Sequence, residues 1–169
     1  MNRSRLLLVE DDHALAALLK EYLESGDYEV TWHTRGDTAL AALKQQPFDI
    51  VLSDIVLPGA DGREILQKTG GDPARTLVFL MTGYSGIEDA LNALEEGAYD
   101  FISKPFQLPE IRVRLDNGMR YQQLLRYVMA HEKEPEGQGK NQHEDSHTAA
   151  EKHTAARAYS QLSKSGTKR

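Results

Sequence analysis

The residues able to do chemistry sit where short apolar runs end. Glu10, Asp11 and Asp12 close the run RLLLVE, Asp54 closes DIVLSD, Thr82 closes TLVFLMT, and Lys104-Pro105 follows YDFIS. Brought together, Asp11, Asp12 and Asp54 would set three carboxylates within a few ångströms, where like charges oppose joint ionisation. A hard divalent cation resolves that conflict. Mg²⁺ takes carboxylate and water oxygens and keeps several waters, which leaves room for a phosphoryl group; Mn²⁺ suits the same oxygen set. A carboxylate can then act as a nucleophile on phosphorus and form an acyl phosphate. Lys104 would offer a point charge to the incoming oxygens, and Thr82 a hydroxyl donor.

Such convergence needs a frame. Five apolar runs, at Arg5–Glu10, Tyr28–His33, Asp49–Asp54, Thr76–Thr82 and Tyr99–Ser103, alternate with amphipathic stretches. The first, third and fourth are apolar almost throughout, as strands buried on both faces should be, whereas the second alternates and reads as an edge. Helical spacing is carried by Ala14, Leu15, Leu18, Leu19, Tyr22 and Leu23, then by Thr38–Gln45, Gly62–Thr69 and Gly86–Glu96. A fifth helix starts near Pro109 and extends to about His131. The alternating order predicts a parallel sheet with helical crossovers, an α/β fold whose strand carboxyl ends share one edge.

Composition bounds the rest. The chain has 169 residues, 40% hydrophobic and 27% charged, and no cysteine, which excludes disulfides, thiolate metal sites and cysteine nucleophiles. No apolar run approaches a membrane span, and Leu6 to Val9 is too short for a signal-peptide core, so a cytoplasmic, membrane-free protein is expected. Residues 1–132 carry 13 Lys+Arg against 21 Asp+Glu, a balance of −8. An acidic body argues against direct binding of nucleic acid. Residues 133–169 hold only Tyr159 and Leu162 as large apolar side chains and read as a polar, disordered tail to a domain spanning 1–132. His143 and His147 stand four apart in that tail, with no rigid helix expected to hold a metal.

Each candidate has a plainer explanation when taken alone. An acidic pair after a strand often marks a helix N-terminus, an Asp before a loop a turn, a Thr a cap, and a lone Lys a solvated charge. The joint spacing decides against these. The segments VEDD at 9–12, DIVLPGADG at 54–62, MTGY at 81–84 and ISKPF at 102–106 strongly resemble response-regulator receiver domains of two-component systems, over about residues 4–120. The likeness looks closest to receivers of sigma-54-dependent transcription activators.

The resemblance implies a flavodoxin-like three-layer sandwich, a five-stranded parallel sheet of order 2-1-3-4-5 with five helices. It implies Asp54 as phosphoacceptor, Asp12 as a direct Mg²⁺ ligand, Asp11 acting through water and Val56 giving a backbone carbonyl to the metal. Thr82 and Lys104 would bind phosphoryl oxygens. Phe101 would fill an aromatic switch position, and the Lys104–Pro105 bond would be cis. A histidine kinase or phosphotransfer protein would be the donor. Thr82 and Phe101 would then alter the surface of the fourth helix, fifth strand and fifth helix for an effector. Val56 and Tyr84 occupy two variable positions flanking the phosphoryl group and imply a long-lived phosphate.

Two rival functions are an aspartyl-phosphate phosphotransferase and a degenerate receiver used as a binding module. The first commonly carries a second Asp two residues after the nucleophile, where this chain has Val56. The intact set Asp11, Asp12, Asp54, Thr82 and Lys104 argues against the second. Too little chain follows residue 132 for an ATPase domain, so the expected output is by protein contact, or through a portion that this sequence lacks. The apolar continuation of the last helix through Leu124, Leu125, Val128 and Met129 suggests a homodimer.

Overall fold

A computed structural model describes residues 3–83, 91–92 and 94–131. The strands are β1 (Ser4–Val9), β2 (Tyr28–His33), β3 (Ile50–Asp54), β4 (Leu77–Thr82) and β5 (Asp100–Ser103). They form one parallel sheet of order β2-β1-β3-β4-β5, the order expected. The described helices are α1 (His13–Glu24), α2 (Gly36–Gln45), α3 (Gly62–Thr69) and α4 (Leu108–His131). The expected helix over Gly86–Glu96 lies largely outside the described residues; Leu91, Asn92, Leu94 and Glu95 within it are helical. The tail from 133 onward lies outside them as well.

Alternation along the strands feeds two cores, one on each sheet face. Leu6, Leu8, Leu52, Phe79 and Ile102 meet Ala16, Leu19 and Leu23 of α1 and Ile111, Leu115 and Met119 of α4. Leu7, Val9, Val51 and Leu80 meet Ala39 and Ala42 of α2 and Ile65 and Leu66 of α3. Helices therefore cover both faces, the three-layer arrangement expected. Every residue of β4 is buried, so β4 is sheathed on both sides. No helix among the described residues is long and apolar enough to cross a membrane.

Close packing by glycine sets the site's surroundings. A Cβ on Gly62, the first residue of α3, would lie 2.6 Å from the Asp54 carbonyl oxygen, so α3 begins tight against the strand end that carries Asp54. Gly36 does the same for α2. Its N–H donates to the Pro58 carbonyl oxygen at 3.0 Å, and a Cβ there would overlap the Ala60 carbonyl. The loop after Asp54 is thus held between the starts of two helices.

Read from propensity alone, Gly118 weakens α4. In the fold its Cα faces Phe79, Leu77 and Tyr99, and a Cβ would sit 2.7 Å from Phe79 Cζ. The glycine lets the helix lie close on the sheet. Gly118→Ala is expected to destabilise by about 1 kcal/mol in urea unfolding, because overpacking of about 1–3 kcal/mol exceeds the gain of about 1 kcal/mol in helix propensity. A more stable variant would show that α4 can shift outward at little cost.

Candidate functional site

The register aligns the strand ends. Val9 pairs with Ser53, Asp54 with Met81, and Thr82 with Ser103. Glu10, Asp54 and Lys104 therefore emerge at neighbouring points on the carboxyl edge of the sheet, beside the switch point where β1 has crossovers leaving in opposite directions. Backbone bonds continue just past the ladders: Glu10 N–H donates to the His33 carbonyl at 3.1 Å, and Lys104 N–H to the Thr82 carbonyl at 2.7 Å. The Lys104–Pro105 peptide is cis, as the resemblance implied.

Lys104 is the hub. Its Nζ donates to Asp54 Oδ2 at 2.5 Å and to Glu10 Oε2 at 2.7 Å, tying together the ends of three strands. The other Asp54 oxygen, Oδ1, accepts from the Val56 backbone N–H at 3.0 Å, which aims the carboxylate. Burial pulls the Lys104 ammonium down, but its hydrogen bonds to Asp54 and Glu10 outweigh burial and hold its pKa above the ordinary lysine value. For Glu10 the balance goes the other way. Burial pushes its carboxyl above the usual range, against the pull of Lys104 and with help from the Asp54 charge.

Ligand atoms of Glu10, Asp11 and Asp54 lie within 4.8 Å of one another. The acidic group the structure brings together differs from the set expected from the sequence. Asp12 is not in the group. It is the N-cap of α1, and its Oδ1 accepts from the N–H groups of Ala14 at 2.9 Å and Leu15 at 3.1 Å. Glu10 stands in the group instead, buried to 1% exposure where Asp12 is open to solvent. The signal was available: helix α1 starts at His13, and an Asp immediately before a helix is the preferred cap.

The other candidates fall around this group. Thr82 is buried and its hydroxyl donates to the Gly83 carbonyl oxygen at 2.9 Å, not to Asp54. Val56 is 75% exposed, and its backbone N–H donates to Asp54 Oδ1. Phe101 is half-buried against the core on the α2–α3 face. Tyr84 lies outside the described residues.

The donor set fits a divalent metal. Three carboxylates face one ammonium, a formal deficit of two positive charges, and all the ligand atoms are oxygens, which hard cations prefer. Glu10 and Asp11 of β1's end and Asp54 of β3's end would hold it.

Comparison with known proteins places this geometry. A model of the response regulator receiver domain matches residues 6–116, two thirds of the chain. The chain belongs to the response regulator receiver domain family. The transcriptional regulatory protein QseB of Escherichia coli O157:H7 is 37% identical over 116 residues, covering 69% of this chain and 53% of QseB. The DNA-binding transcriptional regulator NtrC of Salmonella typhimurium is 30% identical over 123 residues, covering 73% of this chain and 26% of NtrC. A CheY-like receiver structure from Methanospirillum hungatei superimposes with a TM-score of 0.66 at 29% identity, covering 72% of this chain and 97% of that one. The receiver spans about half the length of the first curated relatives it matches.

The acidic group Glu10, Asp11 and Asp54 has a direct test. Mg²⁺ binding to the native state is expected to raise the melting temperature by mass action. Asp11→Ala should lose most of that rise. Asp12→Ala should keep it, on a baseline lowered by about 1 kcal/mol through loss of the cap. Loss of the Mg²⁺ response in Asp12→Ala alone would restore the sequence-based assignment.

Proposed function

We propose that Asp54 accepts a phosphoryl group from a phosphohistidine of a sensor kinase or phosphotransfer protein, in a Mg²⁺-dependent reaction. One observation carries this reading. Asp54, a half-buried carboxylate at the end of β3, is held by Lys104 on one oxygen and by the Val56 N–H on the other, with two further acids beside it. An Asp54 oxygen would attack phosphorus in line, the phosphorus–nitrogen bond would break, and the imidazole would leave with the electron pair. Mg²⁺, when bound, would neutralise charge on the transferring oxygens. Lys104, released from Asp54, would pair a phosphoryl oxygen and keep its bond to Glu10. The Thr82 hydroxyl would have to turn from the Gly83 carbonyl to reach a phosphoryl oxygen, and that turn is the proposed start of the switch. Phe101, beside the core on the same edge of the sheet, would follow it.

In this reading the protein is a phosphoacceptor and no turnover enzyme, although it assists its own phosphorylation. The surface read out would be the segment before β5, β5 itself and α4. The acidic body, with no membrane-spanning helix among the described residues, suits a cytoplasmic partner protein rather than direct contact with nucleic acid. Relatives named as regulators of transcription support a role for this receiver in such a system.

The acceptor is tested by intact mass after treatment with a small phosphodonor and Mg²⁺. One phosphate should appear, disappear with hydroxylamine, and be absent from Asp54→Ala. Undiminished hydroxylamine-sensitive labelling of that variant would move the acceptor elsewhere. Val56 offers no side-chain hydrogen bond to an attacking water, so the label should persist well beyond seconds. Decay within seconds would leave the acceptor standing and refute that account of its lifetime.

A further inference from the structure

The pairing of β1 with β2 ends where Leu8 meets Trp32 and Val9 meets His33. Glu10 lies one residue past that ladder, yet the end of β2 still holds its backbone on both sides. The Glu10 N–H donates to the His33 carbonyl at 3.1 Å, and the Glu10 carbonyl oxygen accepts from the Trp32 indole Nε1–H at 3.0 Å. The second bond comes from a side chain. Indole is a donor only, and a half-buried one needs an acceptor for its single N–H.

The ring reaches further than Glu10. Trp32 packs against the core beneath it, and it meets the His13 ring edge to face, with centroids 5.2 Å apart and planes at 78°. His13 is the first residue of α1. Trp32 therefore touches both ends of the turn from β1 into α1, and Asp11 and Asp12 lie between the two contacts. The acids of this turn are held differently. The Glu10 carboxylate is tied to Lys104, and the Asp12 carboxylate to the first N–H groups of α1. Asp11 is exposed and has neither tie, so the course of the turn sets where its carboxylate lies.

We propose that Trp32 is a positioning residue for the metal, fastening the turn so that Asp11 stays beside Glu10 and Asp54. This rests on the Mg²⁺-dependent reading of Asp54 given above. Trp32 acts through the Glu10 backbone and the start of α1, without touching the cation. Groups that orient metal ligands in this way commonly govern affinity by on the order of tenfold or more.

The test is Mg²⁺ titration of the full chain by calorimetry. Trp32→Phe keeps an aromatic ring against the core and removes the N–H. It should bind Mg²⁺ on the order of tenfold more weakly than the wild type. Phosphorylation by a small phosphodonor should then need correspondingly more Mg²⁺ to reach half its maximal rate, with the maximal rate kept. Tyr28→Phe is the control. It removes the bond from the Tyr28 hydroxyl to Asp116 at the opposite end of the same strand, and should bind Mg²⁺ as the wild type does. Wild-type Mg²⁺ affinity in Trp32→Phe overturns the proposal and leaves the reading of Asp54 standing. Equal weakening in Tyr28→Phe also overturns it, because affinity would then follow general stability. If Trp32→Phe does not fold, fluorescence of the wild type decides. Trp32 is the only tryptophan of the chain, so its emission should change as Mg²⁺ binds and stay constant in Asp11→Ala. Emission that ignores Mg²⁺ overturns the proposal. A wild type that binds no Mg²⁺ and takes no phosphate overturns the reading of Asp54 and the proposal with it.

Discussion

One ammonium shared between two carboxylates is the constraint on which this structure turns. Lys104 reaches from the end of β5 to Asp54 and Glu10, 2.5 and 2.7 Å away, across the ends of β4, β3 and β1. Breaking such a pair by removing the lysine would leave two partly buried charges uncompensated, a costly state. The arrangement is nonetheless unbalanced, because Asp11 adds a third acid. Burial already pushes Glu10 towards its neutral form. The site is therefore a store of unmet negative charge, held together by the sheet rather than by its own interactions. A divalent cation would relieve that excess.

The sheet can bear this because its interior is apolar and its helices are closely applied. Leu7, Leu8, Val51, Leu52, Phe79 and Leu80 are buried on both faces, and hydrophobic burial supplies the stability that the acidic edge does not. Glycines do the positioning. Gly62 lets α3 start against the Asp54 carbonyl, Gly36 lets α2 touch the loop that follows, and Gly118 lets α4 lie on Phe79. Each replaces a side chain with backbone contact, so the elements around the site have little room to drift.

The two edges of the sheet serve different ends. At the carboxyl edge, Lys104, Glu10 and Asp54 are turned towards each other. At the amino edge, Asp49 receives the Arg5 backbone N–H at 3.0 Å and the Arg126 guanidinium, and its carbonyl accepts from Gln122. These groups are satisfied within the protein and fix where α4 leaves the body. Strand β3 joins the two, with Asp54 at one end and Asp49 just before the other. A receiver of this kind keeps its chemistry and its exit helix on opposite ends of one short rigid strand.

Hydrophobic patterning determined the fold at the level of the sequence. Runs buried on both faces read as parallel strands, the alternating YEVTWH read as an edge, and β2 is indeed at the edge. The placement of Asp54, Thr82 and Lys104 at one edge was legible because strand ends in such a sheet share one side. The directions of the neighbouring acids were not. Three consecutive acids follow β1, and a sequence gives their order but no direction for each side chain. The tertiary structure turns Glu10 inward to Lys104, sets Asp11 beside Glu10 and Asp54, and gives Asp12 to the first N–H groups of α1. The reason is local geometry: the chain turns from strand to helix within those residues, and the unpaired N–H groups of α1 claim the last carboxylate. Gly118 is the second case. Propensity counts it as a fault in a helix, and only the approach of Phe79 and Tyr99 shows it as the contact that seats α4. Packing across more than a dozen residues of separation decides such roles, and no local pattern carries it.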